Sequence, residues 1–185
     1  LLIMDKFLRK YKVDYFIKAG TLIGALRNKP SGVLYWDDDL DVGSFVSEVP
    51  KIEQMLQDSE FVKLVEWEKA TFGYQMYPKA HRKLNKGKKK MIYDIFLYKN
   101  IGSRYTIINN QFPHAYIPTL HFVYPIKYQN FWDMKLPFPN KGLDLLEISY
   151  GKDVMKTAKY FNHSMNNGGS KVDIDNTVPL HLKHN

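Results

Sequence analysis

Residues 36–43 read Trp36-Asp37-Asp38-Asp39-Leu40-Asp41-Val42-Gly43, the most unusual run in the chain. Its acidic residues alternate with Leu40 and Val42, as the side chains of a half-buried β-strand do. Residues two apart on a strand project to the same face, so Asp39 and Asp41 direct two carboxylates toward one point. Such carboxylates resist ionising together unless a divalent cation lies between them, and their oxygen atoms suit Mg²⁺ or Mn²⁺. The stretch therefore predicts a strand that carries a metal site.

A solvated acidic loop is the alternative for residues 37–41, because most acidic runs are loops. The strand is favoured by the segment that precedes it. Residues 13–18 are β-branched and aromatic and predict a short strand, which Gly20 ends before a helical turn over residues 21–27. Residues 173–175 repeat the acidic spacing without that context, so we expect a plain tail there.

The glycine turn can carry chemistry of its own. Where a glycine-led turn opens into a helix, unpaired backbone amides and the positive end of the helix dipole can bind a phosphate group. Gly20 and Thr21 are therefore candidates for contact with a substrate. The signal is weak alone, since glycine often precedes a helix, and it gains weight from the acidic strand that follows.

A third carboxylate, that of Asp94, lies in a second predicted strand. Residues 91–98 are apolar at nearly every position, which is typical of a strand buried on both faces. An unpaired carboxylate is costly in such a place. Asp94 therefore either joins Asp39 and Asp41 around a cation or is paired with an arginine or a backbone amide.

Other elements are predicted from periodicity and turn residues. We expect a helix over residues 1–11, a helix capped by Ser47 that ends near Gln57, strands over 61–67 and 71–77, and a helix that ends at Gly151. Residues 166–170 predict a flexible linker, and residues 171–185 predict a C-terminal tail.

The composition describes a folded, basic domain. The 185 residues include 27 Lys+Arg and 19 Asp+Glu, which gives a net charge of +8. This excess favours an anionic or phosphate-bearing partner, or else forms a solvated lysine-rich surface. The lack of cysteine excludes a disulfide scaffold, a thiol nucleophile and cysteine-ligated zinc. No apolar run approaches the roughly 20 residues of a transmembrane helix. The chain starts at Leu1, so we expect an upstream segment, and the sequence assigns no compartment.

Two motifs in combination resemble the signature of the LicD family, which includes bacterial phosphorylcholine transferases and, more distantly, fukutin and fukutin-related protein. The motifs are Ala19-Gly20-Thr21-Leu22-Ile23-Gly24-Ala25-Leu26-Arg27 and the acidic stretch 36–43. Residues 93–96 are similar to the family's later Asp-Ile-Phe strand, and residues 124–125, 137–139 and 146–153 resemble its closing pattern. The resemblance covers roughly residues 1–160 in the family's order.

The resemblance implies an α/β (α+β) fold with a nucleotidyltransferase-type core, in which a short mixed sheet is flanked by helices. Residues 1–165 would form the catalytic domain, and residues 166–185 the linker and tail. Residues 29–35 are longer and differently composed than the family's usual link between the two motifs. The resemblance therefore does not specify the head group of the donor or the identity of the acceptor.

The reaction implied by the resemblance is a metal-dependent transfer of a phospho-alcohol, such as phosphocholine or ribitol phosphate, from a CDP-linked donor to a sugar hydroxyl of a glycan. Asp39, Asp41 and Asp94 would hold Mg²⁺ or Mn²⁺ and form the catalytic set, and Asp94 would also be placed to receive the acceptor's proton. The substrate-binding candidates are Gly20, Thr21, Gly24, Arg27, Trp36, His81, Arg82 and Lys83.

Several of these candidates have a substrate-binding role that suits the side chain and a structural or surface role as the alternative. Arg27, Arg82 and Lys83 suit phosphate oxygens, with a surface role as the alternative. Trp36 would stack on a base or sugar unless it belongs to the core. His81 would carry a proton unless it is structural or exposed.

Two other functions remain open at this point. The same fold could attach a nucleoside monophosphate to an acceptor. A non-catalytic module could instead bind nucleic acid through the basic residues 79–90 and the many aromatic residues. Three carboxylates at a phosphate site repel nucleic acid unless a metal is bound, so we expect no nucleic-acid partner.

Overall fold

The computed structural model describes residues 2–28, 32, 34, 39–80, 92–110, 112–158 and 178–179. The helices are α1 (Leu2–Lys10), α2 (Ala19–Arg27), α3 (Val49–Leu56), α4 (Ser59–Leu64) and α5 (Gly142–Tyr150). The strands are β1 (Tyr15–Ile17), β2 (Asp39–Phe45), β3 (Val65–Ala70), β4 (Gly73–Pro78), β5 (Ile92–Asn100), β6 (Tyr105–Ile107), β7 (Lys127–Phe131), β8 (Met134–Phe138), β9 (Thr157–Ala158) and β10 (Val178–Pro179). None of the helices formed by these residues has the length and hydropathy needed to cross a bilayer.

The main sheet has the strand order β1-β2-β5-β4-β3, and β6 pairs with the last residues of β5. β2 and β5 run parallel, whereas the other pairings in this sheet are antiparallel. Smaller two-stranded ladders join β7 to β8 and β9 to β10. The predicted fold class, a mixed sheet with helices, is confirmed.

Each face of the sheet carries its own apolar cluster. On one face, Ile17, Val42 and Ile95 pack with residues of α1, α3 and α4. On the other face, Phe16 and Phe96 belong to a cluster of eight buried residues. Strand residues therefore alternate between two cores, and β5, with six consecutive buried residues, has the predicted burial on both faces.

Two local predictions are wrong. Residues 61–64 belong to α4, not to a strand, because the Asp58 carboxylate accepts hydrogen bonds from the backbone N–H groups of Glu60 and Phe61, at 2.8 and 3.2 Å, and caps that helix. Ser47 does not cap α3: it lies within a 3₁₀ turn, Val46–Glu48, and α3 begins at Val49.

Other local predictions agree with the structure. The N-terminal helix and the strand before Gly20 are present as α1 and β1, and the helix predicted over residues 21–27 is present as α2, which begins two residues earlier, at Ala19. α5 ends at Gly151, which has a φ of 96° that favours glycine. Within the predicted tail, the two residues of β10 pair with β9, and the other residues of 166–185 lie outside the described residues.

Gly24 is predicted to be required for packing of the chain after α2. A Cβ atom at this position would lie 2.5 Å from the carbonyl oxygen of Gly32, a backbone atom that a rotamer change cannot move. We expect Gly24→Ala to lower the free energy of unfolding by about 1–3 kcal/mol, the usual cost of overpacking. Urea denaturation measures this change. The matched control is Gly142→Ala, whose Cβ would meet only the Leu22 side chain at 3.4 Å or beyond and the ring of Pro139. Equal stability of the two variants would contradict the packing role.

Candidate active site

A row of four polar side chains crosses four adjacent strands at one level of the sheet. Asp41 on β2 is the register partner of Asp94 on β5, and Asp94 is the partner of Gln75 on β4. Lys18 continues the pairing of β1 with β2, because its N–H donates to the Asp41 carbonyl at 3.1 Å. Residues opposite one another on paired strands share a face. The row Lys18–Asp41–Asp94–Gln75 is therefore created by strand register.

A row of aromatic residues and glycines lies beside the polar row on the same face. Phe16, Gly43, Phe96 and Gly73 are aligned by the same pairings. A Cβ on Gly43 would lie 2.4 Å from the Phe16 ring, so this glycine gives the ring its place on the sheet. The polar row is thus bordered by closely packed rings that exclude water from one side.

Asp39 adds a third carboxylate next to this row. Asp39, Asp41 and Asp94 each offer an oxygen atom, and the three atoms lie within 4.8 Å of one another. Asp41 and Asp94 are each 6% exposed, and Asp39 is half-buried. The structure therefore brings together the three acidic residues that the sequence singled out.

The glycine turn holds Asp41 from two directions. The backbone N–H of Gly20 donates to the Asp41 carboxylate. The hydroxyl oxygen of Thr21 accepts a hydrogen bond from the Asp41 backbone N–H at 2.8 Å, in buried surroundings. Ala19 begins the turn with a φ of 44°, in the left-handed region that costs a non-glycine residue energy. Gly20 and Thr21 thus position the carboxylate strand in this structure.

Burial makes this site electrostatically expensive. The pKa of Asp41 is raised to about 7 by burial and by the nearby Asp39, although Lys18 opposes the rise. Burial also raises the pKa of Asp94 to about 7, against the hydrogen bond that the Gln75 amide donates to it at 3.1 Å. Carboxyl groups with these pKa values are held close together in spite of their charge, which is typical of functional sites.

Lys18 and Gln75 are site residues that the sequence analysis missed. Burial lowers the pKa of Lys18 to about 8, and the three carboxylates oppose that change. Its ammonium lies 3.5 Å from the centroid of the Phe96 ring. The sequence signal for both residues is the alternation of side chains along a strand. Lys18 shares the face of Phe16, and Gln75 is a polar residue between the buried Tyr74 and Met76. Their nearness to the carboxylates follows only from strand register.

The carboxylate cluster fits a divalent cation. Three hard oxygen donors come from two paired strands, and the pKa values of two of them are raised by burial and by the nearby Asp39. A cation bound by Asp39, Asp41 and Asp94 would remove that repulsion. The arginine partner considered for Asp94 is not seen among the described residues; Gln75 takes that place.

The other predicted site residues have separate positions. Gly24, within α2, lies close to the backbone of Gly32, which follows the helix. The half-buried Arg27 donates a hydrogen bond to the carbonyl oxygen of Val154 at 3.0 Å, and burial lowers its pKa. Its guanidinium therefore contacts the chain after α5. The remaining predictions fall on residues outside the described part of the chain: Trp36, His81, Arg82 and Lys83.

The carboxylates predict an unusual dependence of stability on pH. The folded pKa values of Asp41 and Asp94 lie above the unfolded value of 3.8. Their contribution to stability is therefore complete below about pH 4 and is lost as the pH rises through about 7. In the presence of EDTA, we expect Asp94→Asn to melt at a higher temperature than the wild type at about pH 8, with a smaller difference at about pH 5.

Thermal melting at the two pH values, with and without Mg²⁺, measures this effect. Mg²⁺ is expected to raise the melting temperature of the wild type at about pH 8 and to have much less effect on Asp94→Asn. Asp133→Asn, at an exposed position, is the matched control and should behave as the wild type. A lower melting temperature of Asp94→Asn at about pH 8 in EDTA would contradict the electrostatic account.

Comparison with known proteins places the chain in a family. Uncharacterized protein RP689 of Rickettsia prowazekii (strain Madrid E) is 26% identical over 86% of this chain and 56% of its own length. Ribitol 5-phosphate transferase FKRP of Mus musculus is 24% identical over 83% of this chain and 31% of its own length. This chain therefore spans less than two thirds of these curated relatives.

A crystal structure of ANT(2")-Ia in complex with adenylyl-2"-tobramycin shows a loose likeness, with a TM-score of 0.42 and 13% identity over 76% of this chain and 68% of that chain. Residues 12–141 match the family described as LicD/FKTN/FKRP, nucleotidyltransferase domain, and these residues carry the glycine turn and all three carboxylates. The chain belongs to the LicD/FKTN/FKRP nucleotidyltransferase-domain family.

Proposed function

We propose that this chain is a metal-dependent transferase that moves a phospho-alcohol from a CDP-linked donor to a sugar hydroxyl of a glycan. The observation that carries the proposal is the cluster of Asp39, Asp41 and Asp94, with oxygen atoms within 4.8 Å of one another. Membership of the family supports it, as does the similarity to a mouse protein named a ribitol 5-phosphate transferase.

The three carboxylates are assigned to hold Mg²⁺ or Mn²⁺. When bound, such a cation neutralises charge on the diphosphate and helps to align it for in-line displacement. The chain's own contribution is to keep the carboxylates in place. Gly20 and Thr21 fix Asp41 through hydrogen bonds to its side chain and backbone, and Gln75 orients Asp94.

Asp94 is also assigned to receive the proton of the acceptor hydroxyl. The raised pKa of Asp94 belongs to the metal-free site, and a bound cation would lower it, so this assignment rests on the position of Asp94 beside the other two carboxylates. The Gln75 amide donates to its Oδ1 atom at 3.1 Å, which fixes the orientation of the carboxylate.

Arg27, Trp36, His81, Arg82 and Lys83 stay predictions as substrate-binding residues, as do Gly20, Thr21 and Gly24. The alternative for Arg27 is a structural role, because its guanidinium donates a hydrogen bond to the Val154 carbonyl oxygen.

Transfer of a nucleoside monophosphate is the second candidate, and the family's description as a nucleotidyltransferase domain favours it. The two reactions differ in the phosphorus atom that is attacked. Phospho-alcohol transfer breaks the bond between the diphosphate's bridging oxygen and the phosphorus that bears the alcohol, and it releases CMP. Nucleotidyl transfer from the same donor attaches CMP to the acceptor and releases the alcohol phosphate.

The test is product analysis with CDP-ribitol, CDP-glycerol and CDP-choline in the presence of Mg²⁺ and a panel of oligosaccharides. Chromatography of the nucleotides, with mass spectrometry of the oligosaccharides, identifies the transferred group. Release of CMP with a matching increase in oligosaccharide mass by a phospho-alcohol is the expected result. An oligosaccharide that carries CMP would instead establish nucleotidyl transfer.

The carboxylate variants provide the matching prediction. Asp39→Asn and Asp41→Asn should each reduce transfer to background while the domain stays folded, because loss of one of the clustered charges relieves repulsion in the metal-free site. Circular dichroism reports on folding. The controls are Asp173→Asn and Asp175→Asn, which keep the same acidic spacing in the predicted tail and should transfer at the wild-type rate. Near wild-type transfer by Asp39→Asn or Asp41→Asn would refute the assignment of the metal site.

A further inference from the structure

Lys18 is the positively charged member of the polar row, and its place is set by the backbone. It is the last residue before the turn at Ala19 and Gly20, and its N–H is bonded to the Asp41 carbonyl. The side chain extends from β1 across β2 to Phe96 on β5, where the ammonium lies 3.5 Å from the ring centroid. The ring keeps the ammonium over the carboxylate face of the sheet, where a cation–π contact stabilises the charge.

The contacts of the ammonium leave its hydrogen-bonding capacity available. Within the described part of the chain, no side chain or backbone oxygen accepts a hydrogen bond from Lys18 Nζ, and no carboxylate makes a direct ion pair with it. An ammonium group has three N–H donors. An aromatic ring stabilises the positive charge but is a poor hydrogen-bond acceptor for these N–H groups. Asp39, Asp41 and Asp94 act on Lys18 through space.

The balance of charges shows what the ammonium would bind. When all four groups are ionised, the three carboxylates and the one ammonium carry a net charge of −2. One divalent cation held by Asp39, Asp41 and Asp94 would bring the total to zero, and the carboxylates would then no longer attract Lys18. A partly buried ammonium is further stabilised by nearby negative charge, so it would next attract an anion that reaches the same face of the sheet.

A small cleft lies beside Lys18. Lys18 and Ala19 line one side of it, and its other walls include Tyr98, Ser149 and Tyr150. The carboxylates do not line this cleft, so the ammonium and the carboxylates share the sheet face and not the cleft. The Lys18 side chain is half-buried, which leaves part of it accessible to a ligand from solvent.

We propose that Lys18 is a phosphate-binding residue of the active site, whose ammonium donates hydrogen bonds to the diphosphate of the donor. This inference rests on the proposed function, because it takes the diphosphate as the anion. It assigns to Lys18 direct contact with substrate, in contrast to a purely structural role as counter-ion of the carboxylates.

The test uses Lys18→Met, which keeps a flexible side chain next to Phe96 and removes the charge. The control is Lys99→Met, which makes the same charge change at an exposed position of β5. Titration with Mn²⁺, followed by electron paramagnetic resonance, measures metal binding. Equilibrium dialysis with labelled CDP at saturating Mn²⁺ measures diphosphate binding. Neither readout depends on turnover.

The two measurements should change in different ways in Lys18→Met. Mn²⁺ should bind as tightly as in the wild type or tighter, because a neighbouring positive charge has been removed. CDP should bind about 10- to 100-fold more weakly, the loss expected for hydrogen bonds from a charged donor. Affinity for CDP equal to that of Lys99→Met would overturn the proposal. Weaker binding of Mn²⁺ would also overturn it, because Lys18 would then act by placing the carboxylates.

A measurement on the wild-type protein covers the case in which Lys18→Met fails to fold. Limited acetylation with an amine-reactive reagent, followed by peptide mass spectrometry, reports the accessibility of each lysine. CDP with Mg²⁺ should protect Lys18 several-fold relative to Mg²⁺ alone and leave Lys99 unchanged. Equal labelling of Lys18 in both conditions would contradict the proposal. Protection of Lys18 without any transfer would support the phosphate-binding role and refute the proposed function. Transfer without protection of Lys18 would support the proposed function and refute the phosphate-binding role.

Discussion

The parallel pairing of β2 with β5 is the constraint on which the rest of the site depends. It sets Asp41 beside Asp94, and it does so next to the buried centre of the sheet, where both carboxylates are 6% exposed. A shift of this register by one residue would turn one strand's acid toward the opposite core. Core packing opposes that shift, because Ile95 and Phe96 belong to different clusters and a slip would move the Asp94 carboxylate to the apolar cluster of Ile95. Packing in the core thus fixes the geometry of the charges.

The carboxylates are held together against their own electrostatics, and neighbouring groups offset part of the cost. Gly20 and Gln75 donate hydrogen bonds to Asp41 and Asp94, respectively, and Lys18 supplies a positive charge nearby. The pKa values of both acids nevertheless stay near 7. This residual strain is useful, because a site whose carboxylates repel one another gains the most from binding a divalent cation. The same repulsion therefore lowers the stability of the metal-free protein and raises its affinity for metal.

The local parts of this site could be predicted from the sequence, and the parts that depend on register could not. Asp39 and Asp41 share a face because of the two-residue period of a strand, and Asp94 stands out in an apolar run. The order of the motifs, through a family resemblance, indicated the fold. Lys18 and Gln75 become site residues only when β1 and β4 pair with their neighbours, and no local pattern specifies those pairings. Residues 61–64 form a helix although their pattern predicts a strand, because short apolar runs suit both and the Asp58 cap favours the helix.

Anomalous diffraction from a crystal of this chain grown with Mn²⁺ and CDP would show whether the β2–β5 register builds a divalent cation site. We expect an anomalous peak about 2.1 Å from oxygen atoms of Asp39, Asp41 and Asp94, the usual distance for a small divalent cation. A peak elsewhere, or well-ordered carboxylates with no peak at saturating Mn²⁺, would contradict it.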